Sequence, residues 1–215
     1  MPKLGESKNS SRLENLLTEA TSMFLEQGYE SLSIDELVRR VGGSKRNVYS
    51  QFQNKEALFI KVASNLCEEL SVPLRNLQLN HSDPRVALEK FSRELLKVVL
   101  DERTLALHRL MIAEAVRFPK LSQTIWKLGH DAACKLLADW IEDQKSAGRL
   151  VISSDAASVA AQFISSLTGY LQLRALLKPH SHKTSKQEIE SFVEAAVASF
   201  LLSHSSKGST KSDGK

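Results

Sequence analysis

Apolar side chains recur along this chain at steps of three and four residues, the period of a helix with one buried face. No alternating β-branched run of useful length interrupts them. The pattern predicts an all-α fold of about nine helices. Leu13, Leu16, Leu17, Ala20 and Phe24 form the stripe of the first, which Gly28 stops by taking the left-handed conformation open to glycine. Ser33-Ile34-Asp35-Glu36 has the form of a capping box, its hydroxyl accepting from the third helical N–H and its glutamate reaching back to the cap amide. The short helix it opens turns Ile34, Leu37 and Val41 inward and ends at Gly42-Gly43, after which Ser44 caps a third helix through Phe52.

Asn54 caps a fourth helix carrying Leu58, Phe59 and Val62, which Pro73 ends or kinks. Asp83-Pro84 is a cap followed by proline at the first helical position, opening a fifth. A sixth spans about Arg103 to Arg117, and Pro119 starts a long seventh that Gly148 closes. Asp155 or Ser154 caps an eighth running to about Lys178, and a second capping box, Ser185 to Glu188, opens the ninth, which ends near Leu202. Residues 1–10 and 204–215 are rich in Ser, Lys and Gly and bury too little to offset ordering, so they are expected as a loose arm and a loose tail. Between them lie an expected N-terminal module, 11–60, and a helical C-terminal domain, 61–203.

The 215 residues, 42% of them hydrophobic, are enough for a substantial core. There is no run of eighteen apolar residues, and the first residues lack the apolar stretch of a secretory leader, so a cytoplasmic protein without membrane contact is expected. Cys67 and Cys134 stand far apart in no metal-ligand spacing; they read as buried thiols, with a redox-sensing pair left open. No metal or cofactor site is expected. His180-Ser181-His182 is a loop pair without a third ligand nearby in sequence, and reads as solvated.

Charge sharpens this picture only locally. Residues 1–60 hold eight basic and eight acidic side chains, but the acids come first, and Arg39, Arg40, Lys45, Arg46, Lys55 and Lys61 follow against Glu56 alone. Such a run suits phosphate contact. A short capped helix, a glycine turn and a second short helix with Val48 and Phe52 inward is the layout of a helix-turn-helix, whose second helix enters the major groove of double-stranded DNA. With Val48 and Phe52 buried, Lys45, Arg46, Asn47 and Gln51 fall on outer faces where they can reach base edges or phosphates.

From Leu16 to Phe59 the chain resembles the TetR family of transcriptional regulators: Phe24, Gln27-Gly28-Tyr29, Ser31, Ser33-Ile34, Leu37, Val41 to Lys45, Val48-Tyr49, Phe52 and Asn54 to Phe59 fall at that family's spacing. The resemblance implies backbone contacts from Ser33, Ser44, Lys45, Tyr49 and Lys55, and base reading by Arg46, Asn47 and Gln51. Gly43 replaces a small apolar residue commoner there, and Gln51 a frequent His, which leaves the operator sequence open. Tyr49 can alternatively be mostly core. The basic arm with Lys3 and Lys8 carries Glu6 between them and reads as a plain tail rather than a minor-groove reader.

In the C-terminal domain no phosphate loop, nucleophile elbow or metal-spaced cluster supports an enzyme. The last two helices carry wide apolar faces, and the resemblance implies that they pair with their copy in a homodimer. On the seventh helix Trp126, His130, Ala133, Leu137 and Trp140 recur at helical steps, so His130 is a candidate polar anchor for an unidentified small-molecule ligand, or else a hydrogen-bonded core histidine. Glu114 extends the sixth helix's stripe of Leu107, Leu110 and Met111, with His108 beside it; pairing of Glu114 to Arg109 or Arg117 is the alternative. Phe163 and Tyr170 complete the candidate pocket. The stretch Arg109 to Pro119 looks like a motif of the family subgroup with AefR-like ligand domains. The whole implies a repressor that binds a palindromic operator as a dimer and is released by ligand; a regulator whose C-terminal domain only dimerises or binds protein is the alternative.

Overall fold

The computed structural model describes the backbone of residues 4–80, 83–177 and 184–204, and side chains from Ser11 onward within those ranges. The described residues form ten α-helices and one π turn: α1 (Leu4–Ser31), α2 (Ile34–Val41), α3 (Lys45–Phe52), α4 (Lys55–Arg75), α5 (Pro84–Val99), α6 (Glu102–Glu114), α7 (Pro119–Trp126), the π turn Lys127–Asp131, α8 (Ala132–Ser146), α9 (Ala156–Leu177) and α10 (Lys186–His204). The expected seventh helix accounts for the count, because the π turn divides it into α7 and α8. Helical backbone begins at Leu4, so residues 4–10, expected in a loose arm, continue α1 instead. His180 and His182 lie outside the described residues.

Two compact units share the chain. The first takes residues up to Leu70 together with Glu102–Leu128, and the second Ser71–Asp101 together with residues from Gly129 onward. In the first unit Phe24, Leu37, Leu58 and Phe59 are fully buried and join Leu107, Leu110, Met111, Phe118, Leu121 and Ile125 in one core. The helices expected to read DNA are therefore held by α6 and α7 as well as by α1 and α4. Tyr29, Phe59 and Phe118 meet with centroids 4.8 to 5.1 Å apart in tilted and edge-on pairs, the arrangement aromatic quadrupoles favour. Cys67 is buried here, its thiol donating to the Ile125 carbonyl at 3.8 Å.

Gly28 interrupts α1 at φ 80°, as its position in the sequence predicts. The first capping box does not form. Ser33 makes no side-chain cap bond, and the Glu36 carboxylate is taken by Arg39 and by Arg40 Nε at 3.0 Å. Charge-assisted bonds to two guanidinium groups outcompete one bond to a neutral cap amide. Arg40 also reaches Glu19 at 2.8 Å, fastening α2 to α1.

In the second unit α8 packs on α9, and α5 on α9 and α10, around Leu88, Phe91, Leu96, Leu137, Ile141, Leu167, Leu171, Val193 and Val197. Asp155 rather than Ser154 caps α9, accepting from Ala157 and Ser158 amides. Only half of the second capping box is present: Ser185 Oγ accepts from the Glu188 amide at 3.1 Å, while the Glu188 carboxylate pairs with Arg174 Nη2 at 3.0 Å and Nη1 at 2.6 Å. This fork joins α9 to the start of α10.

Arg174 hydrogen bonds hold the Glu188 carboxyl below its usual range. A depressed folded-state value stabilises above the unfolded value and is lost as pH falls through the folded one. Acid unfolding of Arg174→Gln is therefore expected to begin at higher pH than that of the parent chain, followed by far-UV dichroism. Coincident acid transitions would show that the fork contributes nothing.

Candidate DNA interface

The geometry of α2, the turn and α3 follows from four short-range causes. Leu37 is fully buried and Val48 is 3% exposed, so each helix is pinned by one inward side chain and leaves the rest outside. Gly42 and Gly43 carry φ of 75° and 114°, which let the chain reverse without a Cβ clash. Ser44 Oγ accepts from the Asn47 amide at 3.3 Å and starts α3. Gln53, at φ 61°, ends it, donating to the Tyr49 carbonyl at 2.9 Å. Since Ser44 caps and Ser33 does not, Ser44→Ala is expected to cost about 1 kcal/mol and Ser33→Ala almost nothing in urea unfolding. Equal losses would contradict the assigned caps.

The outer face of α3 carries Lys45, Arg46, Asn47, Ser50 and Gln51, all exposed, and Tyr49 at 41%. Tyr49 is thus a surface ring rather than a core one. The basic run is less free than the sequence implied. Arg39 and Arg40 are tied to Glu36 and Glu19, and Lys45 Nζ lies 2.7 Å from Asp35. Arg46 has no ion-pair partner among the described residues. Exposed pairs such as Lys45–Asp35 contribute about 0–1 kcal/mol, so a DNA phosphate can displace Asp35 at little cost.

Lys55 serves the fold as well as the surface. Its ammonium donates to the Glu30 carbonyl at 3.0 Å and stands 4.7 Å from the Tyr29 ring centroid. Burial lowers its pKa from the usual lysine value, opposed by the charge of Glu114. Arg117 approaches the same ring, at 4.6 Å, and pairs with Glu30 rather than with Glu114. The sequence named Arg117 only as a possible partner of Glu114 and gave no sign of its contact with Tyr29; nothing local shows that the Arg109 to Pro119 motif meets that ring.

The candidate ligand residues divide between the units. In the first, Met111 is buried, Glu114 and His108 are half-buried, and Trp126 is 56% exposed. Burial alone lowers the His108 pKa. In the second, Phe163 is buried in an edge-on pair with Phe200, Tyr170 is 59% exposed and stacks on Phe192, and half-buried His130 has Nε2 3.5 Å from Cys134 Sγ. The single stripe from Trp126 to Trp140 does not survive, because the π turn adds a residue to the turn and shifts the register between them. Burial, then Asp131, raises the Cys134 thiol pKa, which takes that thiol away from the thiolate character of a reactive sensor. Among the described residues no group of three or more His, Cys, Asp or Glu could hold a metal ion, and no helix is long and apolar enough to cross a membrane.

Residues 16–62 match the profile of the bacterial regulatory proteins of the tetR family. Residues 86–204 match the C-terminal domain of AefR-like transcriptional repressors. The chain belongs to the TetR family. It is thus a transcriptional regulator with a helix-turn-helix, in a family of regulators rather than enzymes. Among solved TetR-family structures, the flavonoid-responsive regulator FrrA is 28% identical, covering 93% of this chain and all of that one at a TM-score of 0.76. A TetR-family protein of Mesorhizobium loti is 25% identical over 92% of this chain and 98% of its own, also at 0.76. Two curated relatives match over shorter stretches: the transcriptional repressor Rv1474c of Mycobacterium tuberculosis, 30% identical over 71 residues, and the transcriptional activator FasR of Mycolicibacterium smegmatis, 32% over 84. Each alignment spans 38% of the relative's length.

Proposed function

We propose that this TetR-family regulator is a cytoplasmic repressor that binds a palindromic operator as a homodimer and is released by a small molecule. The observation that carries it is α3: one buried face, an outer face of Arg46, Asn47 and Gln51, and an N-terminus set by the Ser44 cap. In this reading Arg46, Asn47 and Gln51 meet base edges in the major groove, while Ser33, Ser44, Lys45, Tyr49 and Lys55 position the backbone. Lys55 keeps two ammonium protons for a phosphate after donating to Glu30.

Dimerisation through α9 and α10 is supported by exposed apolar side chains there, Tyr170, Leu173 and Leu177 on α9 and Leu202 on α10. Two recognition helices then serve half-sites about 34–36 Å apart. Release by ligand is supported by the AefR-like C-terminal match and by the likeness to a flavonoid-responsive regulator. A ligand acts only through its differential affinity for the DNA-competent state. Repression agrees with the name of Rv1474c; FasR, an activator, favours the second reading, in which the same contacts recruit transcription.

Selection from a random duplex pool tests the proposal. An inverted repeat with half-site centres one helical turn apart is the expected product. Enrichment of an isolated half-site, bound by a monomer in sedimentation, would overturn the dimeric reading.

A further inference from the structure

The interior of the second unit is apolar apart from a few neutral groups, Ser71, Ser92, Gln144 and Thr168, and no charged side chain among its described residues is buried. Thr168 donates to the Ile164 carbonyl at 2.8 Å, and Gln144 Oε1 accepts from Arg149 Nε at 2.7 Å. Two other groups are left over. Ser92 on α5 is fully buried and Trp140 on α8 is 5% exposed, yet neither Ser92 Oγ nor Trp140 Nε1 has a hydrogen-bond partner among the described residues. Buried polar groups are nearly always paired, and one left alone carries its full desolvation cost. An indole N–H is donor only, and it cannot be redirected without moving a ring that belongs to the unit's core.

We propose that Trp140 Nε1–H and Ser92 Oγ–H are the hydrogen-bonding anchors of the ligand site, and that the ligand is a neutral, largely apolar molecule presenting an acceptor oxygen. This rests on the reading of the chain as ligand-responsive. The chemistry follows from what the interior offers. Trp140 requires an acceptor, Ser92 accepts either partner, and the apolar side chains clustered with Trp140 reward hydrocarbon or aromatic surface. A carboxylate would enter without a buried cation to meet it, which its desolvation forbids. Ketones, lactones and aryl ethers fit; organic acids and amines do not. His130, which the sequence offered as a candidate polar anchor or else a hydrogen-bonded core histidine, has Nε2 3.5 Å from Cys134 Sγ.

Three probes of one shape separate the possibilities: 2-acetonaphthone, 2-ethylnaphthalene and 2-naphthoate. The chain has two tryptophans, and Trp126 is 56% exposed, so Trp126→Phe leaves Trp140 as the single indole signal in a nitrogen-15 spectrum. The ketone is expected to shift that signal and to bind at least about tenfold tighter than the ethyl compound in calorimetry, a difference one well-placed hydrogen bond supplies. Naphthoate is expected not to bind. Trp140→Phe should bring the ketone down to the ethyl compound's affinity, and Ser92→Ala should weaken it without altering the fold. Equal affinity for ketone and hydrocarbon, with the indole signal unmoved, overturns the anchors. If a probe then still releases DNA, the ligand-responsive reading stands without them. Failure of all three to bind overturns the anchors too, and unchanged DNA binding across the three counts against ligand release itself.

Discussion

Phe59→Ala is expected to lower stability by about 3–5 kcal/mol, the range for emptying a fully buried aromatic site. The ring is completely enclosed, with Phe24 at 5.0 Å, Tyr29 at 5.0 Å and Phe118 at 5.1 Å between centroids. Three stiff aromatic neighbours fixed by α1 and by the segment after α6 cannot collapse into the space, which places the loss toward the upper end. At roughly 2–4 °C per kcal/mol for a chain of this size, the melting point of the first unit falls by about 10 °C. Thermal unfolding by dichroism measures it, and DNA binding should fall in step, because α4 and the α2–α3 pair share this core. A loss below about 1 kcal/mol would mean that the aromatic cluster does not hold the DNA-reading helices.

The second large effect concerns selectivity instead of stability. Arg46, Asn47 and Gln51 are all exposed, so replacing the three with alanine should change unfolding by no more than about 0.5 kcal/mol each. If each reads a base edge at roughly 1–3 kcal/mol, the triple variant loses at least about a hundredfold of its preference for operator over scrambled duplex. Non-specific binding should persist with its salt slope little changed, because the phosphate contacts belong to other residues. Anisotropy titrations on both duplexes separate the two quantities. Retained selectivity would move base reading to other residues.

What the sequence made legible was local. The glycine pair between α2 and α3, the caps at Ser44, Asn54 and Asp83, and the inward positions Leu37 and Val48 depend on neighbours within four residues, and all appear as expected. What it hid depends on distant partners or on backbone irregularity. Glu36 left its capping role because two arginines and a helix contact claimed it. Lys45 and Arg40, counted as free charge, face acids brought close by folding. The Trp126 to Trp140 stripe assumed one uninterrupted helical period, which the π turn at Lys127–Asp131 breaks. Arg117 and Phe118 meet Tyr29 from almost ninety positions away in the chain, and no periodicity encodes that meeting. For the candidate ligand site, sequence spacing marked the polar residue on the stripe, whereas an unpaired donor such as Trp140 Nε1 becomes visible only when its surroundings are known.

The central claim is that α3 reads DNA sequence. Fluorescence anisotropy of the purified protein on duplexes tiled from the region upstream of its own gene, at two salt concentrations and against a scrambled control, tests it most directly. Tight binding to one tile, selective over the scrambled duplex and retained at the higher salt, is the predicted result. Binding that is equal on all duplexes and vanishes with salt, or none at all, would contradict it.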